Sequence, residues 1–192
     1  MLAACDGKAA TVQAGGAAAS CDTRAYTEIG GPISLTDSTG KRVTEDTFRG
    51  RASLVYFGFT YCPDVCPATL VTIERALRRL PNDIQPPRTI LISLDPERDT
   101  PASMASYIAT DVFPDDMVGL TGTPDEIRAA ADAFKIAYER IEVTENTAEY
   151  TIDHSSILYL MDENWSLKTF FTYEADPQSI SDCLALQLPK RH

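Results

Sequence analysis

Apolar residues recur along the chain in two periods, and the alternation between them predicts the elements. Two short apolar runs in "PISLTDSTGKRVT" flank Asp37 to Gly40 and predict an N-terminal β-hairpin. "ASLVYFGF" is continuously apolar and rich in Val, Tyr and Phe, as suits a strand buried on both faces. "RTILISL" and "SSILYLM" read the same way, and "DMVGLTG" is a shorter strand. Between them lie helical stretches. In "ATLVTIERALRRL", Leu70, Ile73, Leu77 and Leu80 fall on one face. "ASMASYIATDV", "DEIRAAADAFKIAYE" and "QSISDCLALQL" are also read as helices, and "SLKTFFTYE" pairs with "SSILYLM" across Asp162 to Trp165. The alternation implies an α/β fold: a central, largely parallel but mixed sheet flanked by helices and closed by an antiparallel hairpin.

Prolines punctuate the helix starts. Thr100-Pro101, Thr123-Pro124 and Asp176-Pro177 each set a capping residue before a proline at the first helical position. Cys66-Pro67 occupies the same slot with a thiol where the chain elsewhere uses Thr or Asp. Residues before proline are pushed out of the α region. Cys62 and Cys66 both precede prolines, so both are expected outside regular helix, with Cys66 as the N-cap.

Composition adds a tail and a compartment. Residues 1 to about 24 are dominated by Ala and Gly and read as a flexible tether, leaving residues 25–192 as one globular domain. A net charge of −11 argues against nucleic acid and against an anionic membrane surface as partners. No run is long enough to cross a bilayer. Leu2-Ala3-Ala4-Cys5 resembles the lipobox at which bacterial lipoprotein precursors are cut and lipidated, so the chain is read as keeping the end of a signal peptide. Cys5 would then anchor the domain outside the cytoplasm, in the bacterial periplasm. Cys183, flanked by Ile180, Leu184 and Leu186, is expected to be a buried structural thiol, with a Cys21–Cys183 disulfide as the alternative.

The chemistry lies in "FTYCPDVCPATL". Two cysteines four apart within a helix would have Cβ atoms about 5–6 Å apart, against the roughly 3.5–4.5 Å a disulfide needs. A bent loop lets the pair approach, and lets both sulfurs bind one ion. The positive end of the following helix favours thiolate, while Asp64 inside the loop opposes it. Of two histidines, His192 is terminal and His154 stands in "TIDHSSILYL". A strand–Cys–helix arrangement in a domain of this size is similar to the thioredoxin plan, in which the loop before the antiparallel strand faces the thiols and carries a proline. Here no proline lies between Pro124 and Pro177, and His154 occupies that region. Two thiolates and an imidazole suit copper, with Cu(I) satisfied by the thiolates and Cu(II) by the added nitrogen. Zinc would call for a fourth ligand, for which only a carboxylate such as Asp64 or Asp153 is at hand.

"YFGFTYCPDVCP", "SLDPERDTP" and "DHSSILYLMD" together resemble, in order and spacing, the three signatures of the Sco/SenC family. The resemblance covers roughly residues 30 to 188. It implies a thioredoxin-like fold, copper bound by Cys62, Cys66 and His154, and a role at the dinuclear copper centre in subunit II of cytochrome c oxidase. That role is delivery of copper received from a periplasmic donor, or reduction of the subunit's cysteines by a dedicated thiol–disulfide reductase using Cys62 and Cys66. Many members carry His where this chain has Tyr61, and Asn164-Trp165 replaces a Gly-containing turn. Asp95 and Asp99, in the second signature, fall at the end of a central strand. Hydrogen bonds in the loop, with Thr100 capping the next helix, account for them as well as a place around a metal does.

Overall fold

The computed structural model describes residues 21, 28–142 and 150–190. Of the expected tether 1–24 only Cys21 is among them; Cys5 and His192 lie outside the described residues. Nine strands and four helices run in the order β1 (Ser34–Asp37), β2 (Arg42–Thr44), β3 (Ser53–Gly58), α1 (Val65–Leu77), β4 (Arg88–Ser93), α2 (Pro101–Ile108), β5 (Met117–Thr121), α3 (Pro124–Ala133), β6 (Tyr138–Glu142), β7 (Tyr150–His154), β8 (Ile157–Met161), β9 (Leu167–Thr172) and α4 (Pro177–Gln187) among the described residues.

Seven strands form one mixed sheet in the order β2-β1-β5-β4-β3-β8-β9. Its parallel centre, β5-β4-β3, is joined through α1 and α2, and the antiparallel neighbours β1 and β8 flank it. Every residue of β3 is buried, as its unbroken apolar run requires. Helix α1 packs on α4, α2 against β5, and α3 against β1. The fold is the thioredoxin-like α/β arrangement expected, with its N-terminal hairpin β1–β2, but the sheet is not largely parallel: only β3-β4 and β4-β5 pair parallel, while β1-β2, β1-β5, β3-β8 and β8-β9 pair antiparallel.

Three helix starts follow the proline grammar. Thr100, Thr123 and Asp176 are N-caps whose side chains accept backbone N–H groups, each followed by proline. The fourth differs. Cys66 is not the N-cap of α1; the helix begins two residues earlier, with Asp64 as the cap residue, and Cys66 lies in its first turn. Pro67 is tolerated there because the first four N–H groups of a helix have no intrahelical partner, so its missing donor costs nothing. The restriction on the residue before proline is a preference, and here the helix overrides it.

Helix α3 also departs from expectation. The apolar spacing of "DEIRAAADAFKIAYE" continues past Phe134, yet the helix ends at Ala133. Lys135 adopts φ 58°, Ile136 N donates to Ala131 O at 2.9 Å and Lys135 N to Asp132 O at 3.2 Å. This is a Schellman close with Lys where Gly is usual. The chain then reverses into β6, which pairs with β7 as a separate ribbon, Tyr138 opposite His154. The Asn164-Trp165 turn is held similarly. Trp165 has φ 63°, and the burial of its indole offsets that backbone: the ring stacks on Phe48 and Nε1 donates to Gly31 O at 2.9 Å.

Cys183 is buried on α4, but it is not a free thiol. It forms a disulfide with Cys21 across a Cα–Cα distance of 5.3 Å. The helical pattern around Cys183 locates it in the core and carries no information about which chain segment passes over it.

Candidate metal centre

Strand β3 delivers the chain to the thiol loop, and the loop after β4 supports it from below. Asp99 is fully buried. Its carboxylate accepts the Thr60 amide at 3.0 Å, the Thr60 hydroxyl, and the Ser93 hydroxyl at 2.6 Å. Asp95, also buried, accepts from Arg98 Nε and from the Tyr150 hydroxyl at 2.7 Å. Both carboxylates are thus engaged in fixing loops. Burial raises the Asp99 pKa above the ordinary carboxylate range, against its hydroxyl and amide donors. Asp64 and Asp153 are exposed.

Cys62 is half-buried and Cys66 buried, and both are free thiols. The Cys66 amide, one of the unpaired N–H groups of the first helical turn, donates to Cys62 Sγ at 3.3 Å. Asp64 makes no side-chain cap bond, so the sulfur of Cys62 caps α1 in its place. The two thiols therefore diverge. The Cys66 thiol donating to Cys62, with help from backbone donors and His154, pulls the Cys62 pKa down to about 6, although partial burial opposes it. The same hydrogen bond, together with burial and the facing Cys62 charge, pushes Cys66 up. The outer cysteine is the activated one, through the Cys66 thiol first and the amides of the helix terminus after it, rather than the one written into the helix.

His154 ends β7 and is brought beside the pair, with Nε2 3.9 Å from Cys66 Sγ. Its Nδ1 lies 3.1 Å from Ser155 O. A carbonyl only accepts, so Nδ1 carries the hydrogen, and in the neutral ring Nε2 presents its lone pair toward the sulfur. The rings of Tyr56 and Phe59 meet the imidazole edge-on, with centroids 6.3 and 6.1 Å away. Cys66 is thus the hinge of the group, in touch with Cys62 on one side and His154 on the other. Among the described residues no three His, Cys, Asp or Glu side chains converge on one point, because Cys62 Sγ is turned to the Cys66 amide.

Gly58, the last residue of β3, is a site residue that the pattern reading passed over. A Cβ at this position would stand 2.9 Å from Cys66 Sγ and 3.1 Å from the Tyr56 ring. The available signal was a glycine inside an otherwise unbroken buried strand, which marks a close approach.

A family model described as SCO1/SenC matches residues 21–188 of the chain. Protein SCO1 homolog 1, mitochondrial, of Arabidopsis thaliana is 37% identical over 158 residues, covering 80% of this chain and 45% of the relative, so the chain spans less than half of that relative's length. Among solved structures, Arabidopsis thaliana ScoI with copper bound superposes with a TM-score of 0.78 at 36% identity, covering 83% of this chain and 97% of that one. BsSco, a member of the Sco family of cytochrome c oxidase assembly proteins in which a disulfide switch has been identified, matches with a TM-score of 0.65 at 25% identity, covering 85% and 96%.

Proposed function

The chain belongs to the SCO1/SenC family, and from that premise we propose that it is an extracytoplasmic copper chaperone serving assembly of the dinuclear copper centre in subunit II of cytochrome c oxidase. Copper is its cargo, held by the sulfurs of Cys62 and Cys66 and by His154 Nε2. The observation that carries the reading is the imidazole, its Nδ1 hydrogen committed to Ser155 O and its Nε2 lone pair facing Cys66 Sγ. Such an orientation is what a metal-ligating histidine needs. Soft thiolates retain Cu(I), and the borderline nitrogen extends the set to Cu(II). To join a shared ion, Cys62 Sγ leaves the Cys66 amide. Its lowered pKa makes it the thiol that ionises first, so loading releases the second proton from Cys66.

The copper-bound Arabidopsis relative supports the choice of metal, and BsSco supports the oxidase as destination. The Cys21–Cys183 disulfide fits an oxidising compartment such as the periplasm. Within the reading, lipidated Cys5 anchors the tether 1–24, and a periplasmic protein donates the copper. No helix among the described residues is long and apolar enough to cross a membrane.

The experiment is copper titration of the reduced protein, wild type beside Cys62→Ser, Cys66→Ser and His154→Ala. The expected result is one copper per chain and a Cu(II)–thiolate absorption that either serine variant abolishes and His154→Ala weakens and shifts. Unchanged Cu(II) affinity and spectrum in His154→Ala would overturn the ligand assignment.

The asymmetry of the thiols favours a second reading, a dedicated reductase of the subunit's cysteines. Cys62, half-exposed and with its pKa lowered, attacks a partner disulfide and releases one partner thiolate. Cys66 then attacks the mixed disulfide, giving up its proton and releasing the second partner thiolate. The partner gains two electrons and this chain is left with a Cys62–Cys66 disulfide. Rapid metal-free reduction of a model disulfide would select this reading over the chaperone.

A further inference from the structure

The thiol loop and the histidine ribbon are separate pieces of the fold. The loop leaves β3 in the main sheet, whereas His154 ends a two-stranded ribbon that is not part of that sheet. Besides the contacts that Cys66, Tyr56 and Phe59 make with the imidazole, one further side chain spans them. The Arg98 guanidinium lies 4.6 Å from the ring centroid of Tyr61 and 3.7 Å from that of Tyr150. Tyr61 immediately precedes Cys62, and Tyr150 opens the strand that ends in His154.

The arginine is itself fixed. Its Nε donates to Asp95, its Nη1 donates to Tyr150 O at 3.1 Å, and the Tyr150 hydroxyl donates to the other Asp95 oxygen. Its backbone is tied to the same loop, with Arg98 N donating to Asp95 O at 3.2 Å. Tyr61, by contrast, is 59% exposed, so apolar burial does little to hold its ring. The stacked cation is what gives that ring a preferred place.

We propose that Arg98 is a positioning residue for the metal ligands, clamping the thiol loop to the histidine strand through Tyr61 and Tyr150. The proposal rests on the copper reading of Cys62, Cys66 and His154. Lysine cannot replace Arg98, because a point-charge ammonium lacks the planar face and the fork that engage two rings, a carboxylate and a carbonyl together.

The test uses Tyr61→Phe, Tyr61→Ala, Arg98→Lys and the double variant Tyr61→Ala/Arg98→Lys. The exposed Tyr61 variants guard against loss of folding at the part-buried arginine. Two readouts are taken: transfer of Cu(II) from the loaded protein to a chelator, with its thiolate absorption maximum, and the rate of Cys62 alkylation by iodoacetamide in the reduced, metal-free protein. Tyr61→Phe keeps a ring and is expected to behave as wild type. Tyr61→Ala is expected to speed both copper release and alkylation about two- to fivefold, the fold-change that corresponds to an exposed cation–ring contact, and to shift the absorption maximum. In the double variant the effects should be less than multiplicative. Equal behaviour of Tyr61→Phe and Tyr61→Ala, or fully multiplicative effects, would overturn the clamp. A wild-type protein that takes up no copper would overturn the copper reading, and the alkylation arm would still decide whether the loop is clamped.

Discussion

Replacing Gly58 by alanine tests how tightly the centre is built. The added Cβ would stand 2.9 Å from Cys66 Sγ, 3.1 Å from Tyr56 Cε1 and 3.4 Å from Leu91 Cδ1. A carbon–sulfur contact settles near roughly 3.5–4 Å, as carbon contacts do, so the sulfur or the strand must move by about 0.5–1 Å. None of the three neighbours yields readily: Cys66 is fixed in the first turn of α1, and Tyr56 and Leu91 are fully buried. Overpacking of this kind costs about 1–3 kcal/mol. In a domain of this size each kcal/mol lowers Tm by about 2–4 °C. The displacement also exceeds the roughly 0.5 Å within which a functional constellation must be held. Thermal unfolding of the reduced, metal-free protein and the Cu(II)–thiolate spectrum of the loaded one should therefore both change. Gly31→Ala is the control, since its Cβ would meet only Ala133 at an ordinary 3.4 Å. If Gly58→Ala unfolds at the wild-type temperature and gives the wild-type spectrum, Cys66 is not seated against β3 and the geometry argued for the site fails.

Three further outcomes follow from the same structure. Alkylation of Cys62 should rise with pH to half its maximum near pH 6, because a thiol lowered to about 6 is already thiolate above that value; a midpoint near that of an ordinary thiol would refute the hydrogen bonds that the thiol and amide of Cys66 give its sulfur. Asp99→Asn should lower stability by about 1–3 kcal/mol in denaturant unfolding, since the carboxylate accepts from Thr60 N, Thr60 Oγ1 and Ser93 Oγ and an amide nitrogen cannot accept. Unaltered stability would mean that Thr60 is anchored by something else. Cys21→Ser should destabilise by about 2–4 kcal/mol while leaving copper stoichiometry unchanged, because the bridge closes a long loop between the chain start and α4 and does not reach the site. Loss of copper binding in that variant would refute the separation of the two cysteine pairs.

Much of this molecule could be read along the chain, where the determinants are local. The buried run at β3, the hairpin β1–β2 and the capped starts of α2, α3 and α4 depend on periodicity and on the residue beside each proline. So does the presence of two thiols at the head of α1, and the lack of a proline between Pro124 and Pro177, where His154 stands, brought the histidine into consideration. Misreadings arose where a local rule met a competing one. The proline rule put Cys66 outside the helix, yet helix propagation from Val65 overrode it. The amphipathic spacing carried α3 too far, because Lys135 accepts a backbone conformation that only glycine announces.

Other features were decided by tertiary packing alone. Which cysteine is activated depends on Cys62 Sγ meeting the thiol and the amide of Cys66, and on the burial of Cys66 against Gly58. Asp95 and Asp99 became loop anchors because donors meeting them come from segments remote in sequence, Thr60 of the thiol loop 39 residues from Asp99 and Tyr150 of β7 55 residues from Asp95. The pairing of Cys21 with Cys183, 162 residues apart, has the same origin. The sequence by itself determined which chemical groups this protein owns and on which elements they ride, since propensity and period act over a few residues. Their distances, partners and protonation came only from the folded chain, because hydrogen bonds and burial act between surfaces that the sequence does not bring together.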